Sequence, residues 1–79
     1  MNKRARSANP KTRMRVVVNG REREVTAGAT VASLLGDLGL APERTVVELN
    51  RHVLEREGYA GAALAEGDVM ELVEIVGGG

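Results

Sequence analysis

Residues 14–26 read MRVVVNGREREVT, and the arrangement of the whole chain turns on how they fold. A β-branched run ends at Asn19-Gly20, and an alternating charged run follows as far as Val25. Asn-Gly between two such runs is a strong hairpin signal, because both central residues of a type I′ turn need positive φ. The reading is two antiparallel strands, residues 14–19 and 21–26. Pairing across the turn sets Met14, Val16 and Val18 on the face of Arg21, Arg23 and Val25. The second strand is then an edge whose charges discourage further pairing.

Working outward, Val31, Leu34, Leu35 and Leu38 recur at i, i+3, i+4 and i+7, the apolar stripe of a helix. Thr30 suits its N-cap and Gly39 the left-handed position after its end, with Pro42 beyond. Gly36 inside it costs about 1 kcal/mol relative to alanine, so the helix must lean on a sheet. Thr45 to Asn50 reads as a third strand and the run from His52 as a short fourth. Gly67-Asp68 then turns the chain into VMELVEIV. In that last run Met70 and Leu72 fall on one face and Val73 and Ile75 on the other, the pattern of a central strand that is apolar on both sides. Hairpin, helix, strands and a final central strand are the order of an α+β, ubiquitin-like β-grasp: a mixed sheet of four to five strands with one main helix. The crossover lets the last strand pair in parallel with the first. One helix covers one face. Val73 and Ile75 are therefore candidates for a partner-docking patch, or for packing against a loop.

Composition removes many chemistries. With no cysteine, disulfides, thiolate metal sites and cysteine nucleophiles are excluded, and the single histidine, His52, makes no metal cluster alone. Tyr59 is the only aromatic residue, so base-stacking platforms are absent and the core must be aliphatic. No apolar run has the length to cross a bilayer. A soluble, cytoplasmic monomer that touches neither nucleic acid nor membrane is the expectation. Net charge is zero, yet residues 1–13 hold Lys3, Arg4, Arg6, Lys11 and Arg13 and no acid. This opening segment reads as a disordered basic extension. The folded domain is expected over residues 14–76 and a flexible glycine tail over 77–79.

The chain ends ELVEIVGGG, so Gly77, Gly78 and Gly79 follow directly on the last strand. Together with the VNG hairpin, the helix stripe, VVELNRHVLERE and the GDVMELVEIVGGG ending, this resembles the ThiS family, the sulfur carriers of thiamine (thiazole) biosynthesis. The likeness covers residues 14–79. Leu54 departs from it, standing where proline is common, and so does the basic extension.

The resemblance implies that the protein is no enzyme and has no catalytic side chain, metal site or resident cofactor. Gly79 would bear the reactive carboxylate, with Gly77 and Gly78 recognised as its tail. An E1-like adenylyltransferase of the ThiF type would activate that carboxylate with ATP and Mg²⁺. A cysteine desulfurase or rhodanese-like protein would supply the sulfur, carried as a C-terminal thiocarboxylate, and a thiazole synthase of the ThiG type would take it. Glycine suits such a tail because it removes both steric bulk and the restriction on φ. Two other carriers of a terminal diglycine stay open at this point, the molybdopterin-synthase small subunit and a ubiquitin-like modifier. A plain interaction module with a frayed end is a third reading.

Overall fold

A computed structural model describes residues 13–77 of the protein. Strands β1 (Arg13–Val18) and β2 (Arg21–Thr26) form the first hairpin, followed by helix α1 (Val31–Leu38). Strands β3 (Thr45–Leu49), β4 (His52–Leu54) and β5 (Val69–Glu74) complete a five-stranded sheet. Its order is β2-β1-β5-β3-β4. β5 runs parallel to β1 and antiparallel to β3, so the last strand is central and β2 is an edge. Register in the first hairpin pairs Val18 with Arg21, Val16 with Arg23 and Met14 with Val25, as the Asn-Gly turn dictates. β1 begins at Arg13, one residue before the expected boundary, because Arg13 pairs with Thr26. The extension proper, residues 1–12, lies outside the described residues.

α1 has eight residues, too few to be stable by themselves. Local caps and tertiary burial make up the difference. Thr30 caps it reciprocally with Ser33: the Ser33 amide donates to Thr30 Oγ1 (3.1 Å) and the Thr30 amide donates to Ser33 Oγ (2.9 Å). Gly39 sits left-handed at φ 73°, and the Leu40 amide reaches back to the Leu35 carbonyl at 2.9 Å. Two amides of the first turn, those of Val31 and Ala32, donate to the carbonyls of Ala62 and Tyr59. The irregular segment after β4 is thereby tied to the start of the helix. Val31, Leu34 and Leu35 pack with Val16, Val25, Val47, Met70 and Leu72 of the sheet, and Tyr59 and Leu64 close the core. The Tyr59 hydroxyl donates to the Thr45 carbonyl at 2.8 Å, so the one aromatic ring fills the core while its polar tip is satisfied.

One sequence expectation needs correction. β3 ends at Leu49 rather than Asn50, because Asn50 (φ 50°) and Arg51 (φ 72°) turn the chain into β4 with both central residues left-handed. Arginine does not signal that conformation, which is why the residue pattern hides this turn. As one helix implies, the central strand β5 is buried on one face: Met70 and Leu72 are 0% and 8% exposed, whereas Val73 and Ile75 are 59% and 53% exposed rather than packed against a loop. The single helix covers the inner face, and no described segment covers the outer one.

Candidate functional site: the open sheet face and the root of the tail

β5 links the two parts of the site. Its inner residues anchor it in the core, its outer residues face solvent, and its end becomes the tail. Asparagine amides grip it on both sides. Asn19, left-handed in the first turn, accepts from the Leu72 amide through Oδ1 at 2.8 Å and donates to the Leu72 carbonyl through Nδ2 at 3.3 Å. This side chain continues the β1–β5 ladder past the end of β1. Asn50 holds the other end of the strand: its Oδ1 accepts from the Val69 amide at 2.9 Å and its Nδ2 donates to Asp68 Oδ1 at 3.0 Å. Asp68 in turn accepts from the Ala65 amide through Oδ2 at 2.8 Å, which closes the turn leading into β5.

The last backbone anchor is the Ile75 amide, which donates to the Arg44 carbonyl at 2.7 Å. Beyond it Val76 is exposed, and Gly77 has φ 81°, a conformation that favours glycine. Space around Gly77 is open, so it is backbone freedom rather than a tight fit that calls for glycine there. Gly78 and Gly79, the expected recognition and reactive residues, lie outside the described residues.

Val73 and Ile75, the candidate docking residues, are exposed on the outer face at the root of this tail. Register brings others beside them that the sequence did not single out. Val46 pairs with Val73 and Glu48 with Glu71 across β3–β5, Val53 pairs with Glu48 across β3–β4, and Val69 pairs with Val17 across β5–β1. Val46, Val53 and Val69 are all exposed large hydrophobics. The result is an apolar strip crossed by two acidic side chains. Farther across the same face, Arg13 meets Glu24 at 3.2 Å, and Arg15 lies 4.0 Å from both Glu22 and Glu24. Alternation within each strand was available to a sequence reading. What placed these residues together was the pairing of β3 with β5, which joins segments more than twenty residues apart and has no local signal.

Among the described residues there is no cluster of metal-ligating side chains, no helix long and apolar enough to cross a membrane, and no buried side-chain polar atom without a hydrogen-bond partner. His52, through Nδ1, lies 3.1 Å from the Asn50 carbonyl on an exposed strand end. Tyr59 is a core residue.

Among the described residues the chain is a one-helix β-grasp domain with an uncovered sheet face and a central strand that leads to Gly77. The comparison with known families makes this specific. The ThiS family model matches residues 16–79, and the chain belongs to the ThiS family. It is similar to the crystal structure of the thiamine biosynthesis protein ThiS from Geobacter metallireducens, at 38% identity and a TM-score of 0.71, over 84% of this chain and 100% of that one. The NMR solution structure of a thiamine biosynthesis protein from the same organism gives the same identity and TM-score, over 88% of its chain. Thiazole synthases from Paramagnetospirillum magneticum and Magnetococcus marinus are each 41% identical over 66 residues, which is 84% of this chain. The chain spans 20% of the length of these two curated relatives.

Proposed function

We propose that this protein carries sulfur for thiazole formation in thiamine biosynthesis, on the carboxyl group of Gly79. A free carboxylate is a poor electrophile because its charge is delocalised and an oxygen anion is a poor leaving group. An E1-like enzyme of the ThiF type removes both obstacles. The Gly79 carboxylate attacks the α-phosphorus of Mg²⁺-bound ATP, forming an acyl adenylate and releasing pyrophosphate. A persulfide presented by a cysteine desulfurase or rhodanese-like protein then attacks the acyl carbon through its terminal sulfur, and AMP leaves. Reductive cleavage of the resulting acyl disulfide by a thiol leaves the thiocarboxylate. Its sulfur is nucleophilic at neutral pH and passes to a thiazole synthase of the ThiG type.

The protein's own part is presentation. Three glycines extend about 10 Å, enough to enter an enzyme cleft while the domain stays outside. Ordering that tail costs about 1–2 kcal/mol per residue, which contacts of the folded body must offset. The exposure of Val73 and Ile75 where the tail departs supports them as a source of such contacts. The observation that carries this reading is the course of β5: a core-anchored central strand, fixed as far as Ile75, that runs directly into a segment matched by the ThiS family through residue 79. Support for a thiazole-synthase partner comes from the curated relatives, thiazole synthases in which a region like this chain is part of the same polypeptide.

Gly79→Ala tests the reading. It is expected to leave the fold unchanged by circular dichroism and to cut ATP–pyrophosphate exchange with the activating enzyme at least tenfold. Exchange at the unaltered rate would refute it.

A further inference from the structure

The side-chain amides of the chain are those of Asn2, Asn9, Asn19 and Asn50, and Asn19 alone is followed by glycine. Asparagine is a chemically labile residue. Its loss begins when the next backbone nitrogen attacks the side-chain carbon Cγ, and a side chain on that next residue obstructs the approach. Gly20 offers no such obstacle: it is exposed, and nothing lies within 4 Å of the place a Cβ would occupy. Among the described residues no turn or loop hydrogen bond engages the Gly20 amide. By contrast, Pro10 after Asn9 has no N–H, and Arg51 after Asn50 brings bulk.

The same labile amide holds the end of β5. The Asp68 and Met70 carbonyls accept from the Val17 and Asn19 amides, so the even-numbered peptide groups of β5 face β1. Leu72 is the next of these, and the paired residues of β1 end at Val18, level with Met70. There the side chain of Asn19 takes over: Oδ1 accepts the Leu72 amide proton at 2.8 Å and Nδ2 donates to the Leu72 carbonyl at 3.3 Å. The pair of contacts needs an amide, which has one atom to accept and another to donate.

We propose that Asn19-Gly20 is a self-modification site whose reaction unlatches the end of β5. The Gly20 nitrogen, losing its proton to solvent base, bonds to Asn19 Cγ; the Cγ–Nδ2 bond breaks, and ammonia leaves once Nδ2 has taken up a proton from solvent. The product is a cyclic imide. Water then opens the ring. Attack at Cγ restores the main chain with a carboxylate in place of the amide, and attack at the main-chain carbonyl leaves isoaspartate, with an extra carbon in the main chain. One water is consumed for each ammonia released, and nothing is oxidised or reduced.

Fold and reaction oppose each other, because Nδ2 is the leaving atom and cannot stay on the Leu72 carbonyl as the ring closes. Folded β5 therefore protects Asn19. Conversion, once it has occurred, is one-way. A carboxylate sets acceptor against acceptor at the Leu72 carbonyl, and isoaspartate lengthens the turn itself. Either form leaves that carbonyl without its donor, directly before Val73 and Ile75. The reaction needs no partner and is independent of what the tail carries.

The test follows the full chain in mildly alkaline buffer, with and without urea, by peptide mass spectrometry that separates aspartate from isoaspartate. Conversion is expected at Asn19 and not at Asn50, and at least tenfold faster in urea than in the folded chain. The converted protein gains a negative charge and can be isolated by anion exchange. Its Leu72 amide should exchange hydrogen severalfold faster, while the Leu35 amide of α1 keeps its rate. Asn19→Asp adds the carboxylate without lengthening the main chain and should show the same acceleration, which keeps this point testable if the isoaspartate form unfolds. Equal rates with and without urea, or conversion shared evenly with Asn50, overturn the proposal. So does Leu72 exchange in Asn19→Asp at the rate of the unmodified chain.

Discussion

The two faces of the sheet are built from the same strands and do opposite work. Inward, Val16, Val47 and Met70 are wholly buried beneath α1, and every methylene there contributes to holding the domain together. Outward, the residues between them, Val17, Val46, Glu71 and Val73, meet no other layer among the described residues. A domain of this size has little stability to spare, on the order of 0.05–0.15 kcal/mol per residue. Leaving five large aliphatic side chains of the outer face in water is therefore a cost without return inside the fold, and the return is expected in contact with something else.

The contrast can be broken from either side. The largest effect belongs to the inner face: Leu35→Ala, at a fully buried position, should cost about 2–5 kcal/mol, a large share of what the domain has. Urea titration would show it, and a loss below about 1 kcal/mol would mean that α1 is not what holds the sheet. Next comes the boundary between the faces. Asn19→Gly keeps the left-handed turn but removes both amide contacts to Leu72, and should cost about 1–2 kcal/mol. Hydrogen exchange at the Leu72 amide should accelerate with it. Unchanged exchange there would mean that the β1–β5 pairing alone holds the strand. The smallest effect on stability belongs to the outer face: Val73→Asp with Ile75→Asp should shift unfolding by no more than about 0.5 kcal/mol, as surface changes do. The same pair should weaken binding to the activating enzyme at least tenfold, measured by calorimetry. Full affinity would show that the open face is not the docking surface.

Much of the inner architecture was legible from residues alone, because its signals are local. Asn19-Gly20 fixed one turn and its register, and the stripe from Val31 to Leu38 with Thr30 and Gly39 fixed the helix and its caps. The turn at Asn50-Arg51 was missed because arginine at φ 72° carries no sequence signature. The grip of Asn19 on Leu72 was missed for another reason: the same residue already explained itself as a turn former, and nothing in the pattern shows a second duty fifty-three residues away. Within the site, Val73 and Ile75 could be assigned to the face opposite Met70 and Leu72 by alternation. Val46, Glu48 and Val53 could not be brought beside them until the long-range pairing of β3 with β5 was known. The glycine ending was plain to read, but its chemistry came from likeness to a family and not from geometry.

The central claim is that the functional atom sits at the end of the main chain and that the folded body exists to present it. Intact-protein mass spectrometry of the chain, after incubation with a ThiF-type enzyme, Mg²⁺-ATP and a persulfide donor, tests this most directly. The account predicts a gain equal to the exchange of one oxygen for sulfur, located by fragmentation at Gly79. An unchanged mass with an active enzyme and donor, or sulfur found at any other residue, would contradict it.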